Sequence, residues 1–85
     1  MSKKIKIYTV DYCPFCQKAK LFFAEQNQVF EEISCEDDEE NYRKKLTEKY
    51  GLNSLATFPQ IEIDGVHIGG YSDLIDKYSN KEIIF

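Results

Sequence analysis

The stretch Val10-Asp11-Tyr12-Cys13-Pro14-Phe15-Cys16-Gln17 joins two segments of different period, and the fold is decided at that junction. Upstream, Lys3 to Val10 alternates polar and apolar residues through Ile5 and Ile7, with Tyr8 and Val10 extending a β-prone run, so a strand is predicted that ends near Asp11. Downstream, Pro14 sits where a helix accepts proline, in its first turn, and Gln17 to Gln26 is rich in helix formers. Ala19, Phe22, Phe23 and Gln26 share one face, which should be buried at its centre. Val29 to Ile33 is a second short β-prone segment. Together these give strand, helix, strand over the length a parallel crossover requires.

Further along, Ser34 and Asp37 have the spacing of a capping box inside the acidic run Glu36 to Glu40. A second helix is expected to follow, with Tyr42, Leu46 and Tyr50 on one face, Arg43, Lys44 and Lys45 after the acids, and Gly51 closing it. Leu52 to Phe58 reads as a loop. Gln60 to Ile63 and Val66 to Ile68 flank Asp64-Gly65, a strong hairpin signal. Gly69-Gly70 ends the hairpin, and Ser72 is expected to cap a last helix from Asp73 to Ser79 carrying Leu74, Ile75 and Tyr78. The order is βαβα followed by ββα, one α/β domain over residues 1–85.

Composition narrows the function classes. A net charge of −4 supplies no global positive field for nucleic acid or anionic lipid, so neither partner is expected. No apolar run approaches the roughly 18 residues that cross a bilayer, and Lys3, Lys4 and Lys6 interrupt any signal-peptide core. Three cysteines, two of them three positions apart, do not make the disulfide framework of a small secreted domain. A soluble, cytoplasmic, monomeric chain is expected.

The chemistry rests on three short motifs. In Cys13-Pro14-Phe15-Cys16 the first sulfur falls at a helix amino terminus, where unpaired N–H groups and the helix dipole favour a thiolate, the nucleophilic form. Cys16, one turn on, is within reach to attack a mixed disulfide formed on Cys13 and so to act as resolving thiol. A closed zinc site would need four ligands, and beyond this pair only the separated Cys35 and His67 remain. The second motif, Thr57-Phe58-Pro59, read alone, is a rigid strand start; with a cis Pro59 it would turn the Phe58 backbone outward toward an extended peptide. The third, Gly69-Gly70-Tyr71-Ser72-Asp73, read alone, is a capped helix, whose free N–H groups could also receive a carboxylate while Asp73 receives an amine. Cys35 is read as incidental and His67 as structural.

Taken together and in this order, the three motifs resemble the glutaredoxin family over nearly the whole chain. The resemblance implies a thioredoxin-like fold, a four-stranded mixed sheet flanked by helices, with Pro59 cis beside Cys13. It implies a protein-disulfide reductase with no permanently bound cofactor and glutathione as reducing co-substrate. By position, Cys13 would form the mixed disulfide with glutathione, with Pro14 and Phe15 completing the active-site motif. Thr57, Phe58 and Pro59 would meet the cysteinyl part of the tripeptide, and Gly70, Tyr71, Ser72 and Asp73 its γ-glutamyl end. Partners would be glutathione and disulfide-containing or glutathionylated proteins, ribonucleotide reductase being a typical client of dithiol members. Two alternatives stand beside this: a redoxin fed by thioredoxin reductase, and a glutathione-ligated [2Fe–2S] carrier, against which Pro14 and Cys16 count. Two departures are visible. Phe15 stands where tyrosine is frequent, and Val10-Asp11-Tyr12 lacks the Lys or Arg often found before the first cysteine. Lys18, Lys20 and Lys49 are the candidates to compensate.

Overall fold

The computed structural model describes residues 3–85; the first two residues of the expected domain lie outside the described residues. Strand β1 (Ile5–Thr9) leads into helix α1 (Pro14–Glu25), β2 (Glu31–Ser34), a short 3-10 turn (Glu36–Asp38), α2 (Glu39–Tyr50), β3 (Gln60–Ile63), β4 (Val66–Gly69) and α3 (Tyr71–Ser79). The sheet order is β2-β1-β3-β4, with β1 parallel to β2 and antiparallel to β3, and β3 antiparallel to β4. This is the four-stranded mixed sheet flanked by three helices of the thioredoxin-like fold. Among the described residues no helix is long and apolar enough to cross a membrane.

The two-residue period of the strands sorts the core. Ile5, Ile7, Ile61 and Ile63 point to one side and bury Ala19 and Phe23 of α1 and Leu74 of α3. Tyr8 and Val10 point to the other, onto Leu46 of α2, with Cys13, Cys16, Cys35 and Ala56 in the same cluster. As expected, the centre of the α1 face is sealed, with Ala19 and Phe23 buried, while Phe22 and Gln26 flank it half-buried. Burying Phe23 completely is worth about 3–5 kcal/mol against alanine. The tight turn forms at Asp64-Gly65, with φ of 51° and 82°, as the sequence requires of a two-residue hairpin. Gly51, at φ 62°, closes α2.

Three expectations shift. Strand β2 begins at Glu31, two residues later than its β-prone stretch, because pairing with β1 runs from Lys6–Glu31 to Thr9–Ser34 and leaves Val29 exposed. Ser34 is therefore the last residue of a strand and not a helix cap. Helix α2 starts only at Glu39, after the 3-10 turn, with Asp38 as a cap residue that makes no side-chain bond to the helix backbone; its carboxylate instead accepts from Asn41 at 3.1 Å. Ser72, too, is not a cap. Gly70 takes that position, in extended conformation, and Asp73 accepts the Gly70 N–H at 3.0 Å, so α3 starts at Tyr71.

Candidate active site

Proline decides the local geometry at Cys13. The residue before a proline is pushed toward extended backbone, which is the conformation an N-cap needs, and Pro14 at the first helical position has no N–H to leave unpaired. Cys13 accordingly caps α1 at φ −107°, ψ 104°, and its Sγ accepts the Cys16 N–H at 3.1 Å. The first turn of α1 contains no acid to oppose a negative sulfur. Cys13 and Cys16 are joined as a disulfide. Cys13 keeps 8% of its surface, Cys16 none, so an incoming sulfur meets Cys13.

The Phe58–Pro59 peptide is cis. Its loop brings the Phe58 carbonyl oxygen to 3.5 Å from Cys13 Sγ. Beside this contact runs a groove of about 460 Å³, lined in part by Phe15, Thr57, Phe58, Gly70, Ser72 and Asp73, with Pro59 and Tyr71 completing that wall. All the residues singled out in the second and third motifs thus converge on one groove next to Cys13. Phe15 is exposed, its ring 6.0 Å from that of Tyr71.

The lysines sort differently from one another. Lys20 pairs with Glu32 at 3.0 Å and Lys49 with Glu62 at 3.3 Å, both committed to sheet carboxylates. Only Lys18 stays by the motif, its Nζ 5.1 Å from the centre of the Phe15 ring. Cys35 is wholly buried, its N–H donating to the Thr9 carbonyl, and burial pushes its thiol up to about 11, which keeps it unreactive. His67 stacks on Tyr50 at 3.8 Å, and its Nε2 donates to Gln60 Oε1 at 2.7 Å, while Gln60 Nε2 donates to the Thr57 carbonyl at 2.8 Å. Burial lowers its pKa, so it serves as a neutral support behind the loop.

Sequence reasoning missed Arg43. Its Nη1 donates to the Ala56 carbonyl at 2.8 Å, its guanidinium lies 5.0 Å from the Phe58 ring centre, and it pairs with Glu39 at 2.8 Å. Glu39 in turn accepts the Tyr12 hydroxyl at 2.5 Å. The four-residue spacing of Glu39 and Arg43 was legible as a helix pair; that the guanidinium reaches a loop 13 residues on was not.

Comparison with known proteins agrees with this arrangement. The family model described as Glutaredoxin matches residues 5–68. Glutaredoxin 1 of Rickettsia bellii is 40% identical over 72 residues, which is 85% of this chain and 74% of that one. The crystal structure of Glutaredoxin 1 from Francisella tularensis superposes with a TM-score of 0.82 at 32% identity, covering 95% of this chain and 98% of that one. Buckwheat glutaredoxin in complex with glutathione shares the fold, with a TM-score of 0.82 at 23% identity over 94% of this chain and 72% of that one.

Proposed function

The chain belongs to the glutaredoxin family and is a thiol–disulfide oxidoreductase, and from that premise we propose that it uses glutathione to reduce protein disulfides and protein–glutathione mixed disulfides, with Cys13 as nucleophile and Cys16 as resolving thiol. The observation that carries this reading is the position of Cys13 Sγ: it caps α1, accepts the Cys16 N–H at 3.1 Å and lies 3.5 Å from the carbonyl of Phe58, a residue that lines the groove. The buckwheat protein of the same fold was crystallised as a glutathione complex, and the groove here presents the Phe58 backbone and the start of α3 for a peptide of that kind. The backbone of Phe58 pairs with the cysteinyl part of the tripeptide. The start of α3 takes the γ-glutamyl end, its N–H groups receiving the carboxylate and Asp73 the amine.

With a protein disulfide, the Cys13 thiolate attacks one sulfur, forming a client–Cys13 mixed disulfide and releasing the other client sulfur as thiolate. Cys16 then attacks Cys13 Sγ, which closes the Cys13–Cys16 disulfide and releases the second client thiol. One glutathione thiolate opens that disulfide onto Cys13, and a second attacks the glutathionyl sulfur, leaving glutathione disulfide and the Cys13 thiolate. With a glutathionylated protein, Cys13 attacks the glutathionyl sulfur directly and Cys16 is not needed. The chemistry suits a reducing compartment, the cytoplasm.

The test is turnover of a glutathionylated peptide and of a peptide disulfide, with glutathione plus its reductase and separately with thioredoxin reductase. Cys13→Ser is expected to abolish both reactions, while Cys16→Ser keeps the first and loses the second. Activity in Cys13→Ser refutes the nucleophile, and turnover with thioredoxin reductase alone refutes glutathione as reductant.

A further inference from the structure

We propose that Gln60 is a positioning residue for thiol exchange: its side-chain amide, set in one orientation by His67, holds the Thr57 carbonyl inward and so aims the Phe58 N–H at substrate. The proposal rests on the reading that substrate pairs with the Phe58 backbone beside Cys13.

A bulge brings the two side chains together. Strand β4 pairs with β3 at Ile61–Gly69 and next at Glu62–His67, so Ile68 is an extra residue on β4. In an unbroken ladder His67 would stand opposite Ile63 and share its face, the one that packs on α1 and α3. The extra residue turns it to the other face, with Gln60 and Glu62. There its ring stacks on Tyr50 of α2 at 3.8 Å with 7° between the planes, and Tyr50 is held by donating its hydroxyl to Glu62 at 2.8 Å. The stack fixes the plane of the imidazole, and with it the direction of Nε2.

Gln60 is 5% exposed, so both ends of its amide need partners. The Thr57 carbonyl can only accept, so the end 2.8 Å from it is the Gln60 NH2, and the amide oxygen is the end that meets His67 Nε2 at 2.7 Å. That oxygen also only accepts, which places the imidazole proton on Nε2. One tautomer and one amide orientation therefore go together. The other tautomer would ask the amide to turn its oxygen against the Thr57 carbonyl oxygen. Peptide geometry carries this to the substrate. The Thr57 carbonyl and the Phe58 N–H belong to one planar trans unit and point in opposite directions. Drawing the carbonyl toward buried Gln60 thus sends the N–H outward, and among the described residues it donates to no backbone carbonyl. Gln60 and His67 both line the groove, behind the edge they aim.

A residue that aims a binding edge without touching the sulfurs should weaken capture of substrate and leave the thiolate as it was. Gln60→Met keeps the length of the side chain and loses both bonds; kcat/KM for a glutathionylated peptide is expected to fall about three- to tenfold. Gln60→Glu keeps an acceptor for His67 but sets an oxygen against the Thr57 carbonyl, so its loss should be at least as large. Alkylation of Cys13 by iodoacetamide, which needs no Phe58 N–H, should change less than about twofold in both. His67→Phe keeps a ring on Tyr50 and removes only the donor, so it should lower kcat/KM in the same direction and serves if the Gln60 variants do not fold. In the parent, 15N NMR of His67, the single histidine of the sequence, should show the proton on Nε2 at pH 8, where the ring is neutral. A proton on Nδ1 overturns the relay. So does an unchanged kcat/KM in the variants, or an equal loss in alkylation, since Gln60 would then act on the thiolate and not on the loop. If the parent itself fails to turn over the peptide, it is the functional reading that falls, and the tautomer of His67 still decides whether the relay stands.

Discussion

Gly69 and Gly70 look alike in the sequence, and the structure separates them sharply. Gly69 ends β4 beyond a register irregularity, at φ +114°, where an L side chain is strained by about 1–3 kcal/mol. A Cβ there would fall 2.5 Å from Asp73 Oδ2, 2.9 Å from its Cγ and 3.1 Å from its Cβ. Rotation can move the carboxylate away but not the Asp73 Cβ, which is fixed by α3. Asp73 must therefore give up the Gly70 N–H, a loss of about 0.5–2 kcal/mol for an N-terminal cap. The two add to roughly 1.5–5 kcal/mol, and at about 4–8 °C per kcal/mol for a domain of this size the melting temperature should drop by about 6–40 °C. At Gly70 the backbone is extended, at φ −90°, and a Cβ would lie 3.6 Å from the Pro59 carbonyl oxygen, an ordinary contact. Gly70→Ala should thus stay within about 1 kcal/mol of the parent, a stiffer unfolded chain offsetting a poorer cap. Thermal unfolding of both variants at one fixed redox state measures this. In an Asp73→Ala background the cap is already gone, so Gly69→Ala should cost only its backbone part, and the double variant should be milder than the sum. A Gly69→Ala protein as stable as the parent, or less damaged than Gly70→Ala, refutes the reasoning.

Other consequences are open to measurement. With Cys13 and Cys16 oxidised, the native protein should not react with a thiol reagent at pH 8, and the single free cysteine, Cys35, should react once denaturant exposes it; rapid native labelling would show its burial to be wrong. Burial opposes the Glu62 charge, but hydrogen bonds from Tyr50 at 2.8 Å and from Lys49 outweigh it and lower the carboxyl pKa. Its folded value lies below the unfolded one, so the stabilisation is complete above about pH 4.5 and is lost as pH falls through the lower folded value. Denaturant unfolding should show a gap of about 1 kcal/mol between parent and Glu62→Gln at pH 7 that narrows as the pH falls below about 4.5; a constant gap counts against the linkage.

How much of this was legible depended on whether the signal was local. The Asp64-Gly65 hairpin, the Gly51 helix end and the cap at Cys13 are each dictated by two or three adjacent residues, and each formed as read. Ser34 failed because a local motif competed with a long-range one: pairing with Thr9 holds Ser34 in the sheet, and the helix cannot begin until the chain has turned through Glu36–Asp38. Ser72 failed for a smaller reason, since Gly70 together with Asp73 makes an equally good start two residues earlier. The three motifs at the groove were visible as residue types in order, whereas Arg43 was hidden among charges that a helix dipole alone explains. Its reach to Ala56 and Phe58 distinguishes it from Lys44, which pairs with Glu40 at 3.7 Å on the open surface.

The missing cation before Cys13 then bears on how the whole site works. Two of the three lysines that could replace it are paired with Glu32 and Glu62, and Arg43 shares its charge with Glu39, while what contacts Cys13 Sγ is the Cys16 N–H. On the proposed reading, the helix start with its backbone dipoles supports the Cys13 thiolate, beside Lys18 at the Phe15 ring, and the proposed substrate contacts at Phe58 and at the start of α3 are likewise made by backbone groups. Backbone groups cannot be removed by a side-chain substitution, but they act only if they are aimed. Pro14 fixes the first turn of α1, and Ala19 and Phe23 bury the helix behind it. Asp73 holds Gly70, and Arg43 and Thr47 hold Ala56. Selection for the chemistry would then fall on side chains that never touch the reacting sulfurs, because in a site made of peptide groups position is the only adjustable quantity.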